Sequence, residues 1–198
     1  MIVSHKHKFV FAEIPKNASR VIGEMLIKHY KGKRYDVVPF SHPKIGFYEK
    51  TRHSVSLEWP DYFYFGVSRN PYDRAISIYR HICLHGVPEG YTFEKFSATY
   101  LSGDWVCNHA HACMVFNQVD FEKNVKPFDC VLKFDELAVD LVSLPFVDKK
   151  IDLPKMKRSV RYRNYSDYYT DFSKKAVMSW ASEDFERFGY DKIYKSFL

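Results

Sequence analysis

Apolar residues change their spacing within residues 8–26, where the pattern of a strand gives way to that of a helix. Residues 9–14 contain a β-branched and aromatic run, which is typical of a buried strand in a parallel sheet. After Ser19 the apolar residues recur at a spacing of four, which predicts an amphipathic helix. The PKNASR segment between them is therefore predicted to be a tight loop that connects a strand to a helix.

Further strands are predicted along the chain at residues 34–38, 62–67 and 129–134. The segment 68–81 is predicted to contain a helix, because Asn70 can cap a helix N-terminus and Pro71 suits the first helical position. Three more helices are predicted, over residues 93–101, 136–144 and 171–188. We therefore predict a single α/β domain over residues 1–198, with a central, mostly parallel sheet of about four to five strands flanked by helices.

The PKNASR loop has the composition of an anion-binding site. The first turn of a helix leaves backbone N–H groups unpaired and carries the positive end of the helix dipole. Lys16 and Arg20 oppose that dipole, so two cations at this position favour an anion between them. The alternative is an ordinary helix start with solvated basic residues, and the loop alone leaves both interpretations open.

The charge of the chain favours an anionic partner. Its 198 residues carry a formal net charge of +6, and the pI is near 9.0. Nucleotides, acidic polysaccharides, nucleic acids and membrane surfaces all fit this balance. The chain has no apolar run of about 18 residues, and its first predicted strand begins close to residue 1, so we expect neither a membrane anchor nor a signal peptide. We expect a cytoplasmic protein of bacterial or viral origin, or a catalytic fragment of a Golgi-lumen protein.

Four cysteines without a CxxC pair are typical of free thiols in a reducing compartment. The segment CNHAHAC places cysteine and histidine at alternating positions, so a strand would present them on one face, where they could hold zinc. Their spacing matches no common zinc pattern, and we predict no metal. The residues concerned are Cys107, His109, His111 and Cys113.

Two later basic features could also contact an anion. Arg69 follows the predicted strand 62–67, at the strand end where open α/β sheets bind ligands. Ser77 lies two helical turns further on and could share that ligand, although a helical serine can equally face water. Residues 155–163 contain five cations, among them Arg158 and Arg161. This basic run could close on phosphates, face solvent or bind nucleic acid.

Four segments together resemble the sulfotransferases that use 3′-phosphoadenosine 5′-phosphosulfate, particularly the branch that sulfates carbohydrates of the heparan and chondroitin kind. They are IPKNAS at residues 14–19, FGVSRNPYDRAISIY at 65–79, FDCVLKFDEL at 128–137 and DFERFGYD at 184–191. The RNPYDR block, with a serine eight positions after its first arginine and about fifty residues after the P-K-x-A-S loop, is the most specific feature.

The resemblance implies a P-loop-like nucleotide-binding architecture, adenosine 3′,5′-bisphosphate as product, and no metal. It implies that Lys16 contacts the bridging oxygen of the donor and that Arg69 and Ser77 hold the 3′-phosphate. The basic run with Arg158 and Arg161 would close over the nucleotide. The loop residues would bind the 5′-phosphosulfate: Pro15, Lys16, Asn17, Ala18, Ser19 and Arg20. In related loops a second hydroxyl residue stands where this chain has Arg20, which either replaces a hydrogen bond with a charge or marks an altered donor.

A general base must take the proton of the acceptor hydroxyl. The resemblance implies His53 for this role, because related enzymes have a histidine in a similar H-x-S setting, with Glu49 and His42 as the reserves. The expected acceptor is a glycan or a small hydroxyl compound, with no nucleic acid or membrane partner. Two other classes stay open. A P-loop kinase would require the GxxxxGK[ST] signature, which is missing, and a non-catalytic polyanion-binding protein is supported by charge alone.

Overall fold

The computed structural model describes residues 1–35, 59–84, 86–101, 117–147 and 167–193. The chain divides into two compact units. The first comprises Met1–Arg69 and Gln118–Met156, and the second comprises Asn70–Asn117 and Lys157–Leu198. The single domain over residues 1–198 stays a prediction.

The described part of the first unit contains one five-stranded mixed sheet. Its strands, in the order β3-β1-β2-β4-β5, are β1 (Ile2–Ser4), β2 (Phe9–Ala12), β3 (Lys33–Arg34), β4 (Phe63–Ser68) and β5 (Cys130–Lys133). Strand β4 pairs in parallel with β2 and β5, whereas β1 pairs antiparallel with β2 and β3. The expected number of strands is confirmed. The expectation of a mostly parallel sheet is wrong, because β1 turns back onto β2 and places an antiparallel pair on each of its sides.

The described helices are α1 (Ser19–Tyr30), α2 (Pro71–Leu84), α3 (Phe93–Tyr100), α4 (Gln118–Val125), α5 (Leu137–Asp140), α6 (Asp171–Trp180) and α7 (Ser182–Phe188). Helices α1, α4 and α5 belong to the first unit and the others to the second. None of these described helices has the length and apolar character needed to cross a bilayer. The compartment of the protein stays a prediction.

Several predicted elements differ from the structure in extent. Of the strand expected at residues 34–38, only Arg34 belongs to β3, Tyr35 follows the strand, and residues 36–38 lie outside the described residues. The helix expected at 136–144 is only the single turn α5, flanked by 3-10 turns at Phe134–Glu136 and Leu141–Ser143. The helix expected at 171–188 breaks at Ala181, because Glu183 and Asp184 favour a new helix N-terminus there. The apolar pattern predicts neither strand β1 nor helix α4.

Both faces of the central strands are covered, which explains their continuous apolar sequence. On one face Phe11 and Phe65 are fully buried together with Leu26 of α1. On the other face Tyr64 packs in a separate cluster with Phe128. Because alternate residues of β2 and β4 enter these two clusters, the carboxyl ends of both strands are held firmly at one edge of the sheet.

The first helix of the second unit is α2, and its predicted start, with Asn70 as the cap and Pro71 as the first helical residue, is confirmed. Asn70 Oδ1 accepts a hydrogen bond of 3.0 Å from the backbone N–H of Tyr72, and Pro71 is the first helical residue. Arg74 is fully buried, with its guanidinium carbon 5.5 Å from the centre of the Trp180 ring. Ser77 lies on the same helix and is partly exposed.

Gly66 in β4 gives a test of the packing around the sheet. An added Cβ at this position would lie 2.6 Å from Phe128 Cε2, and β4 is paired on both sides. We predict that Gly66→Ala lowers the free energy of unfolding by about 1–3 kcal/mol, as overpacking does elsewhere. Urea denaturation measures the loss. In the double variant with Phe128→Leu, which removes the clashing ring, part of the loss should be recovered, and simple additivity of the two changes would contradict the prediction.

Candidate functional site

The loop between β2 and α1 has an unusual backbone. Lys16 has a φ of 69° and Ala18 a φ of 58°, so two residues with side chains adopt the left-handed conformation. This conformation costs about 1–2 kcal/mol for an L-residue, and such strain is concentrated at functional sites. Because no glycine relieves it, the surrounding contacts must hold the loop in place.

Helix α1 begins directly after this loop with unsatisfied donors. Its N-cap residue is Ala18, no side chain caps it in the described structure, and its first turn contains no acidic residue. The N–H groups of the first turn and the positive end of the helix dipole therefore form a ready site for an anion. The helix begins with Ser19, which is partly exposed, and Arg20, which is exposed.

Three cations gather at this helix start. Arg69 Nη1 donates a hydrogen bond of 2.7 Å to the carbonyl oxygen of Lys16, although 53 positions separate the two residues. The guanidinium carbon of Arg69 also lies 4.1 Å from the centre of the Phe134 ring. Burial, and then the charges of Arg69 and Arg20, lower the pKa of Lys16 below its ordinary value of 10.5. The structure therefore brings Lys16, Arg20 and Arg69 close together at the start of α1.

Two buried amides hold the loop and Arg69 in place. Asn17 is fully buried, and its Nδ2 donates 2.6 Å hydrogen bonds to the carbonyl oxygen of Val67 and to Gln118 Oε1. Gln118 Oε1 also accepts from the backbone N–H of Arg69 at 2.7 Å, while Gln118 Nε2 donates to the carbonyl oxygen of Arg69 at 2.9 Å. The side chain of Asn17 therefore points into the protein, so any contact of this residue with an anion would come from its backbone.

Asn17 Oδ1 is buried and has no hydrogen-bond partner among the described residues. Buried polar atoms normally have a partner, and exceptions are often found at functional sites. Gln118 is the residue of this site that sequence reasoning missed. Its only signal is a polar amide at the start of a short helix, which no periodicity singles out.

The remaining predicted residues are not all brought together by the described structure. Pro15 and Ser19 lie in the loop and at the helix start, whereas Ser77 belongs to the second unit, and its pairing with Arg69 stays a prediction. Outside the described residues lie His42, Glu49, His53, Arg158, Arg161 and the cysteine–histidine segment 107–113. Within the described ranges, no group of three or more His, Cys, Asp or Glu side chains could hold a metal ion.

Comparison with known families decides the class of the protein. A profile described as the sulfotransferase family matches residues 1–191, which include every described residue of the site. The chain belongs to the sulfotransferase family. Sulfotransferases are transferases, and family membership supports the transfer of a sulfuryl group. Searches of curated proteins and of solved structures gave no match. The carbohydrate branch stays a prediction for this sulfotransferase.

Lys16 allows a test of the electrostatics of the site. We predict that Lys16→Met raises the free energy of unfolding at neutral pH, because it removes a partly buried cation that Arg69 and Arg20 repel. The pKa of Lys16 is lower in the folded than in the unfolded state, so the folded wild type loses this proton first as the pH rises. The difference between the proteins should therefore shrink as the pH rises through the folded-state pKa towards 10.5.

Urea denaturation across this pH range measures the effect. Lys8→Met is a matched control, because Lys8 also has a positive φ, of 52°, but its side chain is exposed. The control should show no comparable gain in stability. A Lys16→Met protein that is less stable than the wild type at neutral pH would contradict the prediction, because it would show that the charge of Lys16 does not destabilise the folded protein.

Proposed function

We propose that this sulfotransferase moves a sulfuryl group from 3′-phosphoadenosine 5′-phosphosulfate to a hydroxyl of a carbohydrate, by in-line displacement with a general base. The main support is the contact of the Arg69 guanidinium with the Lys16 carbonyl at the uncapped start of α1. It places cations from two chain segments beside the free N–H groups of a helix. Such an arrangement favours phosphate and sulfate oxygens.

The described residues fit the charge of this donor. Lys16, Arg20 and Arg69 supply positive charge, and the first turn of α1 supplies backbone donors without a competing carboxylate. Burial and then repulsion by Arg69 and Arg20 lower the pKa of Lys16, and an anion would offset both effects by stabilising its charged form. A P-loop-like role for β2, the loop and α1 is part of this proposal.

The donor supplies the sulfuryl group together with a phosphate leaving group. Like phosphoryl transfer, sulfuryl transfer depends on positioning and on electrostatic stabilisation of charge. In this proposal Lys16 neutralises the charge that grows on the leaving oxygen, while Arg69 and Ser77 hold the 3′-phosphate. His53 takes the proton of the acceptor hydroxyl, with Glu49 and His42 as the alternative bases.

The two competing classes explain less of the site. A P-loop kinase uses a glycine-rich loop, whereas here the left-handed positions are occupied by Lys16 and Ala18. A non-catalytic polyanion-binding protein accounts for the net charge but gives no reason for strain and buried amides at a helix start. Membership in the sulfotransferase family favours the enzyme over both.

Calorimetry with adenosine 3′,5′-bisphosphate tests the donor site. We predict that the wild type binds this nucleotide and that Arg69→Ala weakens binding about ten- to a hundredfold, as expected for lost charge-assisted hydrogen bonds. Ser77→Ala should weaken it about tenfold. Arg34→Ala is the control, because Arg34 pairs with Glu13 and Glu24 instead. Binding of ATP as tight as that of the bisphosphate would favour the kinase.

Transfer of labelled sulfate to a panel of glycans, lipids and small alcohols tests catalysis and identifies the acceptor. We predict that Lys16→Ala abolishes transfer and that His53→Ala reduces it by about 10²–10⁴-fold, the usual contribution of a general base. His29→Ala, at an exposed histidine of α1, should leave the rate unchanged. If His53→Ala keeps its turnover while Glu49→Gln loses it, Glu49 is the base.

A further inference from the structure

We propose that Gln118 is a positioning residue for sulfuryl transfer, because its amide fixes the backbone of Arg69 and the Asn17 side chain of the loop together. The two segments it joins carry the cations of the donor site, Lys16 in the loop and Arg69 after β4. The proposal therefore rests on the proposed function. It adds a residue that touches neither the donor nor the acceptor.

The hydrogen bonds of Gln118 imitate those of a neighbouring strand. Strand β4 ends at Ser68, which pairs with Lys133 of β5, so Arg69 is the first residue beyond the strand. There the primary amide of Gln118 accepts from the N–H of Arg69 at 2.7 Å and donates to its carbonyl oxygen at 2.9 Å. A side-chain amide offers the same donor and acceptor as a peptide group. Gln118 thus fixes the direction in which the Arg69 side chain leaves the backbone.

The same oxygen of Gln118 also connects Arg69 to the loop. Oε1 accepts from Asn17 Nδ2 at 2.6 Å, and Nδ2 in turn donates to the carbonyl oxygen of Val67. Asn17 and Gln118 are both fully buried, so water cannot replace a missing partner without rearrangement. Asn17 stands between Lys16 and Ala18, the two strained residues of the loop. Its anchoring therefore supports the backbone conformation at the helix start.

The hydrogen bonds to Arg69 and Asn17 require one acceptor atom and one donor atom at the end of the side chain of residue 118. In Gln118→Glu, an ionised carboxylate would keep the acceptor but would place a second oxygen against the carbonyl oxygen of Arg69. A protonated carboxyl would restore a donor there. Gln118→Leu would keep most of the volume and lose both functions. The two variants therefore separate the hydrogen-bond pattern from simple filling of space.

The experiment compares wild type, Gln118→Glu, Gln118→Leu and Glu122→Gln in their affinity for adenosine 3′,5′-bisphosphate over a pH series. Glu122→Gln is the matched control, because Glu122 is buried one turn along the same helix and accepts from the backbone of Phe128. We expect Gln118→Leu to bind about tenfold more weakly than wild type at every pH. Gln118→Glu should lose affinity at high pH and recover it, relative to wild type, as the pH falls and the carboxyl is protonated. The control should follow the wild type.

A second measurement needs no ligand. Hydrogen exchange of the Arg69 amide, followed by NMR in the unliganded proteins, reports on its bond to Gln118. Its protection should fall about tenfold in Gln118→Leu, while the amide of Asp129, which donates to the carbonyl oxygen of Tyr64 in β4, keeps its protection. If the wild type does not bind the bisphosphate, the proposed function fails, and the exchange rates still decide whether Gln118 holds Arg69.

Two results would overturn the proposal. One is a Gln118→Leu protein with the affinity and the Arg69 protection of the wild type. The other is an equal loss in Gln118→Glu and Gln118→Leu at every pH, which would mean that shape alone matters. If Gln118→Leu does not fold, the pH dependence of Gln118→Glu decides.

Discussion

A single hydrogen bond, from Arg69 Nη1 to the carbonyl oxygen of Lys16, ties the loop after β2 to the end of β4. It is possible because β2 and β4 are parallel neighbours, with Ala12 opposite Gly66, so both chains leave the sheet at the same edge. The carbonyl oxygen of Lys16 and the face of the Phe134 ring both contact the guanidinium. Both contacts hold the Arg69 guanidinium at the start of α1, where it adds positive charge beside Lys16.

This arrangement sets stability against function at the start of α1. Burial and two neighbouring cations act against the charge of Lys16, and two residues of the loop occupy a strained backbone conformation. Neither feature helps the unliganded protein to fold. Both are understandable if an anion relieves the repulsion when it binds, and active sites commonly carry such a conflict.

Local signals in the sequence explain which parts could be predicted. The change of apolar spacing across PKNASR and the Asn70–Pro71 pair fixed the starts of α1 and α2, since caps and periodicity act within a few residues. Strand β1 has only three residues, and its antiparallel pairing depends on partners elsewhere in the chain. Gln118 escaped prediction for the same reason, because its hydrogen bonds reach residues 49 and 101 positions away.

Arg69 and Gln118 are also the points at which the chain leaves and re-enters the first unit, on either side of Asn70–Asn117. Because Arg69 and Gln118 are hydrogen-bonded to each other, the two ends of the segment Asn70–Asn117 lie next to each other. The entropy of closing such a loop grows only slowly, by about 0.6 kcal/mol for each doubling of its length. Lengthening a loop within residues 70–117 would therefore cost the sheet and the PKNASR loop little free energy, because both ends of this segment stay joined by the same pair of hydrogen bonds.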